Sequence, residues 1–413
     1  MPSILIALAL ALLVLPLAAP AASTPLSLDA ALAKVVRTHP NVAQRQSDVR
    51  AAESDQASAR WQRFPSLTAE SAQLEAGGVQ TTVRIQQPLW TGGRITAQIE
   101  AADRTQAAAI EAVAVTRQDL QLQTVMVFAE LWRAEMRQQA ARANVGEHER
   151  LYEMIQRRVV SEISPRSDAT LAAARLQQAR TEQIQAGAQI ASARSSLTQL
   201  VGESGFTLVP PERLPPLPTT ATEAVEMARA RAPELALLRA RVDAATAQIS
   251  LNRAALLPQI VVGHEQRMGS LLPGQSRDFT YVALQYQPGA GLSAATAVNA
   301  AVARAEGSRD ELAAARRQVE EQVTTSWSEA MALREQLPET AELVNATREV
   351  VDSYMRQYTV GRKSWLDVLN AQREVTQALY SQADVRAGAV MSATRLRILA
   401  GLDETRPSPQ GTR

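Results

Sequence analysis

The chain has 413 residues, with 43 Lys and Arg against 42 Asp and Glu, and no cysteine. The balanced charge excludes the broad basic field that a nucleic-acid binder needs, and the lack of cysteine excludes disulfides, thiolate metal sites, cysteine nucleophiles and lipid attachment at an N-terminal Cys. Apolar residues make up 46% of the chain but aromatic residues only 4%, and this alanine-dominated composition suits closely packed long helices rather than a thick globular core.

In chain order, Ile4 to Leu17 is a short apolar run, followed by Ala18-Ala-Pro-Ala-Ala-Ser23 at the spacing a signal peptidase reads. Residues 1–22 are therefore expected to be an export signal, although no Lys or Arg precedes the run. The run is shorter than the roughly 20 residues that cross a bilayer, and no later stretch is apolar enough to be a transmembrane helix. Leu28 to Trp61 reads as helix by its apolar spacing, closed by Pro65. Two segments of strand length follow, Ser66 to Leu74 and Thr81 to Gln87, joined by the tight connection Glu75-Ala-Gly-Gly78. No proline occurs from Gly93 to Val160, so a helix of roughly 100 Å is expected there, and one of roughly 55 Å returns from Arg166 to Val201. Gly202 to Thr219 holds Pro210, Pro211, Pro215, Pro216 and Pro218, the composition of an extended linker.

The same order then recurs. Thr220-Ala-Thr-Glu223 offers a capping box before a helical run from Ala224 to Leu256, closed by Pro258. Strands are expected over Gln259 to Arg267 and Phe279 to Gln287, then helices over Ala294 to Val360 and Trp365 to Ala400, with Pro338 expected to kink the first. His39-Pro40 answers Ala232-Pro233, Pro65 answers Pro258, Pro88 answers Pro288, Asp168 answers Asp367, and Leu200-Val-Gly202 answers Leu399-Ala-Gly401. Landmarks in one order, spaced by roughly 200 residues rather than the 20 to 50 of a solenoid repeat, mean that one unit is duplicated. The second copy carries a short insert near Gly269 to Gln275. The expected organisation is a first repeat over 23–202 with a hairpin at 65–88, a linker at 203–219, a second repeat over 220–402 with a hairpin at 258–288, and a disordered polar tail at 403–413.

Thr81-Thr-Val-Arg-Ile-Gln-Gln87 and Phe279-Thr-Tyr-Val-Ala-Leu-Gln-Tyr286 mix apolar and polar residues, as a sheet with one apolar and one polar face does. Segments of about nine residues match a tilted transmembrane β-strand. Trp61, Phe64 and Trp90 flank the first hairpin where an aromatic girdle would meet a membrane surface. A soluble hairpin capping a coiled coil has the same strand composition, so composition leaves both readings open. Four strands cannot close a barrel, for which about eight is the smallest membrane case; if they span a membrane, several chains share one barrel.

Leu26-Ser-Leu-Asp-Ala-Ala31, His39-Pro40, a hairpin ending in Gln87-Pro-Leu-Trp-Thr-Gly-Gly93, Asp168, Leu200-Val-Gly202 and then the second series resemble the TolC-type outer-membrane efflux and secretion channels, over about residues 26 to 402. Tyr358-Thr-Val-Gly361-Arg-Lys-Ser-Trp-Leu-Asp367-Val-Leu-Asn-Ala-Gln372 is similar to that family's most recognisable segment. The resemblance implies a mainly α fold with a small transmembrane β part. Three chains would build one 12-stranded β-barrel in outer-membrane lipid, continued by an α-helical barrel that forms a tunnel through the periplasm. It also implies a passive conduit without catalytic residues or cofactor, which docks to a periplasmic adaptor (membrane fusion) protein and an inner-membrane ABC or proton-driven transporter. Positions matching Tyr358 and Lys363 tie neighbouring coils by polar contacts in such channels, and the acid matching Asp367 joins a ring of carboxylates at the narrowed tunnel end. Asn370 stands where a second acid is expected, and Asp168 marks the equivalent turn of the first copy. Gln285-Tyr-Gln-Pro-Gly-Ala-Gly-Leu-Ser293 resembles a subset linked to type I secretion, and the missing lipidation Cys argues against the acylated multidrug-efflux branch. The alternative reading is a periplasmic coiled-coil scaffold whose hairpins pair in water.

Other chemistry is poorly supported. Gly289-Ala-Gly291-Leu-Ser-Ala294 matches the dinucleotide pattern G-x-G-x-x-A, but the preceding strand is not the buried apolar kind that a doubly wound sheet needs. Its glycines are expected to turn a strand into a helix. His39, His148 and His264 share no metal-ligand spacing and read as structural or surface residues.

Overall fold

The computed structural model describes residues 24–402 except 75, 76 and 288. The expected export signal, the polar tail, part of the first hairpin connection and Pro288 therefore lie outside the described residues. The elements are β1 (Thr24–Ser27), α1 (Leu28–Thr38), α2 (Pro40–Trp61), β2 (Ser66–Gln73), β3 (Val79–Trp90), α3 (Arg94–Val160), α4 (Arg166–Val201), β4 (Phe206–Val209), α5 (Ala221–Arg231), α6 (Pro233–Ala254), β5 (Gln259–Gly269), β6 (Asp278–Gln285), α7 (Ser293–Thr359) and α8 (Trp365–Leu399). A single 3₁₀ turn, Ala290–Leu292, converts β6 into α7, as the glycines there suggested.

Each half opens with two helices where one was expected. The residue before a proline is pushed to extended backbone, and His39 (φ −70°, ψ 134°) and Ala232 (φ −58°, ψ 122°) sit there. Pro40 and Pro233 then start the next helix, where a missing N–H costs nothing. Thr220 caps α5 by accepting from the Glu223 N–H at 3.1 Å, while the Glu223 carboxylate accepts from the Thr219 N–H at 2.8 Å. Helices α3 and α7 are each 67 residues long, roughly 100 Å at 1.5 Å per residue. Pro338 lies inside α7 on its exposed side without ending it.

The stretch read as an extended linker is partly ordered. Within it, β4 pairs in parallel with β1, matching Leu26 to Leu208, and Leu26, Leu208 and Phe206 enter the core around Phe128, Leu131 and Leu197. Arg194 fixes β4 by donating to the Phe206 carbonyl at 2.8 Å, and Trp327 Nε1 donates to the Pro218 carbonyl at 3.1 Å. A second core gathers α5, α6, α7 and α8 around Leu235, Val323 and Leu396. These two cores thicken the middle of the helical wall; toward the sheet α2 and α6 pack beside α3 and α7, and toward the other end α3 continues with α4 and α7 with α8.

At one end, four strands form a single antiparallel sheet in the order β2-β3-β5-β6. The hairpins of the two copies are joined through β3 and β5, which pair Ile85 with His264 and Val83 with Gln266. Strand β3 extends through Pro88, a residue that cannot donate to a ladder; the register shifts between Pro88 and Trp90, the bulge that makes room for it. The register places Leu67, Ala69, Val83, Ile85, Ile260, Val262, Val282 and Leu284 on one face and Arg84, Gln86, Glu265, Arg267, Tyr281 and Gln285 on the other. Tyr281 lies over Gly263, where a Cβ would stand 2.4 Å from its ring. Among the described residues, the outer edges of β2 and β6 are unpaired.

Candidate functional site at the two ends of the wall

The far end of the wall is made by two helical turns, one between α3 and α4 and one between α7 and α8. They are built alike: the Glu162 and Ile163 N–H groups donate to the Val159 and Arg158 carbonyls at 3.0 and 2.8 Å, and those of Gly361 and Arg362 to Tyr358 and Gln357 at 3.0 and 2.9 Å. This pattern needs a left-handed residue just past the helix, supplied by Gly361 (φ 73°) in the second copy and by Glu162 (φ 57°) in the first.

Tyr358 is buried against Trp365, with ring centroids 5.8 Å apart, in a cluster with Leu151, Ile155, Ala172, Val368 and Leu369. The cluster joins the tips of both helix pairs, so the α7–α8 turn is packed onto α3 and α4 within one chain. The Arg158 guanidinium lies 4.9 Å from the centre of the Tyr358 ring. The Tyr358 hydroxyl and the Trp365 Nε1 are buried without a hydrogen-bond partner among the described residues. Lys363 rests its ammonium 4.3 Å from the Tyr354 ring. Within the chain, both positions make cation–π contacts.

Asp367 closes a capping box with Ser364. The Ser364 hydroxyl and backbone N–H donate to its carboxylate at 2.7 and 3.0 Å, and the Asp367 N–H donates to the Ser364 hydroxyl oxygen at 3.2 Å. The Ser364 hydroxyl first, then the Ser364 N–H, holds the Asp367 carboxyl below the usual range. Asp168 occupies the matching place in the first turn of α4, but the cap there is Pro165, which has no hydroxyl and no N–H, and no box forms. Asn370 lies one turn beyond Asp367, on the wall of a cavity between α3, α4 and α8. The structure thus gathers Tyr358, Lys363 and Asp367 at one turn, with the first residues of α4 in the same cluster. Sequence reading missed Arg158 and Trp365. The only available signal was their placement beside the two turns.

At the sheet end, Glu265 is buried between two guanidinium groups, accepting from Arg84 Nε at 2.7 Å and Arg267 Nη2 at 2.8 Å. The opposite face is bare: Leu67, Val282 and Leu284 are 68%, 70% and 69% exposed. Trp61 and Phe64, with ring centroids 5.0 Å apart, and Trp90 stand exposed where the sheet meets the helices. Among the described residues no helix is long and apolar enough to cross a membrane.

The sequence profile described as "Outer membrane efflux protein" matches residues 31–203 and 224–402. The cobalt-zinc-cadmium resistance protein CzcC of Cupriavidus metallidurans is 25% identical over 391 residues, covering 92% of this chain and 91% of CzcC. Among solved structures, CusC has a TM-score of 0.79 at 16% identity, covering 91% of this chain and 92% of its own. The outer membrane protein VceC of Vibrio cholerae has a TM-score of 0.77 at 16% identity, covering 91% and 96%.

Proposed function

The chain belongs to the outer membrane efflux protein family, and from that premise we propose that it is the outer-membrane channel-tunnel of a tripartite export system, assembled from three copies. The observation that carries this reading is the sheet, with its two open edges and one exposed apolar face. In lipid every unpaired backbone group costs several kcal/mol; pairing β6 of one copy with β2 of the next closes twelve strands and leaves no edge. The strands, of 8 to 12 residues, match the 9 to 11 that cross a bilayer at a tilt. The face with Val83 and Leu284 then meets lipid, and the face with Arg84, Glu265 and Arg267 lines the lumen.

In this reading the long helices form a periplasmic tunnel, and the turns at its far end are the aperture and the docking point for an adaptor and an inner-membrane ABC or proton-driven transporter. Tyr358, Lys363, Asp367, Asn370 and Asp168 are its gate residues. Three Asp367 carboxylates around one axis repel one another and attract cations, while Asn370 leaves out a second acidic ring. CzcC is named for cobalt-zinc-cadmium resistance, which makes divalent metal cations the first cargo to test, ahead of type I secretion. Light scattering in detergent is expected to return the mass of a trimer, and planar bilayers a conductance whose cation preference and block by multivalent cations weaken in Asp367→Ala. A stable detergent-free monomer without conductance would overturn the proposal and favour the periplasmic scaffold.

A further inference from the structure

The sheet carries a second pattern besides its two faces. On the apolar face, Leu67 and Ala69 of β2 lie opposite Ile85 and Val83 of β3, and Ile260 and Val262 of β5 lie opposite Leu284 and Val282 of β6. Between the two hairpins, however, the ladder sets Ile85 against His264 and Val83 against Gln266, and the same rungs end on Thr280 and Asp278. A straight rung therefore starts apolar on β2 and finishes polar on β6. The apolar belt instead runs obliquely, shifting about four residues toward the helices from the first hairpin to the second.

A bilayer boundary is level, so an oblique belt means strands that cross the bilayer at a tilt. At the tilt of about 45° usual for such strands, a rise of about 3.4 Å per residue and a strand spacing of about 4.8 Å shift a level line by roughly 1.4 residues per strand. Over the four strands of one copy that makes about six residues. The belt's own step agrees in size to within about one residue per strand.

The open edges decide the parity. Bonded and unbonded pairs alternate along an antiparallel ladder. The Leu74 N–H donates to the Gly78 carbonyl at 3.0 Å and the Arg267 N–H to the Arg277 carbonyl at 2.8 Å. By alternation, Ala69 and Ser71 turn their backbone groups away from β3, and Val282 and Leu284 turn theirs away from β5. The outward groups of both edges thus belong to residues of the same face, and joining them continues that face from copy to copy.

We propose that β6 of one copy pairs with β2 of the next in a staggered register, with Leu284 opposite Ala69, Val282 opposite Ser71, and Tyr286, just past β6, beside Leu67. This rests on the channel reading above and names the seam by which the copies join. The stagger keeps the belt level and joins residues 280–285 to residues 68–73 of the next copy. A flush continuation of the rungs would join only 278–281 to 66–69, setting Thr280 against Leu67 and Asp278 against Ala69.

The chain has no cysteine, so paired cysteines report the register without background. Ala69→Cys and Leu284→Cys, both at exposed sites, are combined in the full chain, purified in detergent and treated with a mild oxidant. Bonded partners have Cα atoms about 5.5 Å apart, within the reach of a disulfide, so a covalent ladder ending at a trimer is expected on a non-reducing denaturing gel. Each single variant should keep the trimeric mass and give no ladder. The double variant Leu67→Cys with Thr280→Cys should react at least about tenfold more slowly, because the staggered register holds those positions roughly 20 Å apart. Light scattering on the same samples gives the mass. A trimeric mass with cross-linking through positions 67 and 280, or through neither pair, would overturn the register and leave the channel reading standing. A monomeric mass would remove the channel reading and the register with it.

Discussion

At the helical tips Tyr358 and Trp365 are buried among residues of their own chain, whereas at the sheet end Leu67, Val282 and Leu284 stand in the open beside two unpaired strand edges. A helix bonds its own backbone, so side-chain packing is enough to finish the tip. A strand bonds its neighbour, so a four-stranded sheet remains incomplete until another strand arrives. The tip is therefore a property of one chain and the sheet a property of an assembly. Within the tip the two turns differ again. The second has Gly361 at the left-handed position and a full capping box, while the first places Glu162 there and begins α4 with Pro165, which makes the first the more strained and less firmly capped turn.

The sharpest way to break the comparison is at Tyr358. Tyr358→Ala should cost about 3 to 5 kcal/mol, the usual loss for a buried aromatic ring, read by denaturant unfolding of the detergent-solubilised protein. Tyr358→Phe should be nearly neutral, because the hydroxyl has no partner among the described residues. A Phe variant as damaged as the Ala variant would show that the tip, too, depends on a neighbouring copy. At the sheet end, Val83→Arg puts a charge on the apolar face and should cost roughly 2 to 4 kcal/mol near the bilayer midplane. Arg84→Leu on the opposite face should assemble, since Glu265 keeps Arg267; the fraction of trimer surviving on a semi-native gel separates them, and the reverse order would exchange lipid face and lumen face.

Smaller effects distinguish the turns. Ser364→Ala removes the cap of α8 and should cost about 1 kcal/mol, with no counterpart at Pro165. Because the folded Asp367 pKa is depressed, its stabilising contribution is full above the ordinary value of about 3.9 and is lost as pH falls through the lower folded value. Ser364→Ala should flatten that part of the acid limb of a stability–pH curve, and an unchanged limb would mean the box is not the cause. Smallest of all, Glu162→Gly should stabilise the first turn by up to about 1 kcal/mol by relieving left-handed backbone strain, seen as slower amide exchange across residues 161–165. Faster exchange there would mean that the Glu162 side chain contributes more than the strain it imposes.

Features with local causes were readable in advance. The proline-free run from Gly93 to Val160 specified α3, the aligned prolines exposed the duplication, and the glycines before Ser293 turned a strand into a helix. The break at His39-Pro40 was equally local and should have been read as two helices, since proline restricts the residue before it. The strands were legible as segments, but not the pairing of β3 with β5, which joins positions roughly 180 residues apart and decides which parity is apolar. The short β1–β4 pair was hidden for the same reason, because β4 lies in a proline-rich stretch and is held by Arg194 and the core around Phe128. At the tip, the sequence marked Tyr358, Lys363, Asp367, Asn370 and Asp168. It did not show that Arg158 lies over the Tyr358 ring or that His148 and Arg373 share a cavity with Asn370. Spacing along one chain determines helices, turns and caps through contacts a few residues apart; which faces meet is decided only when distant helices and strands pack, because burial and pairing are properties of the assembled wall.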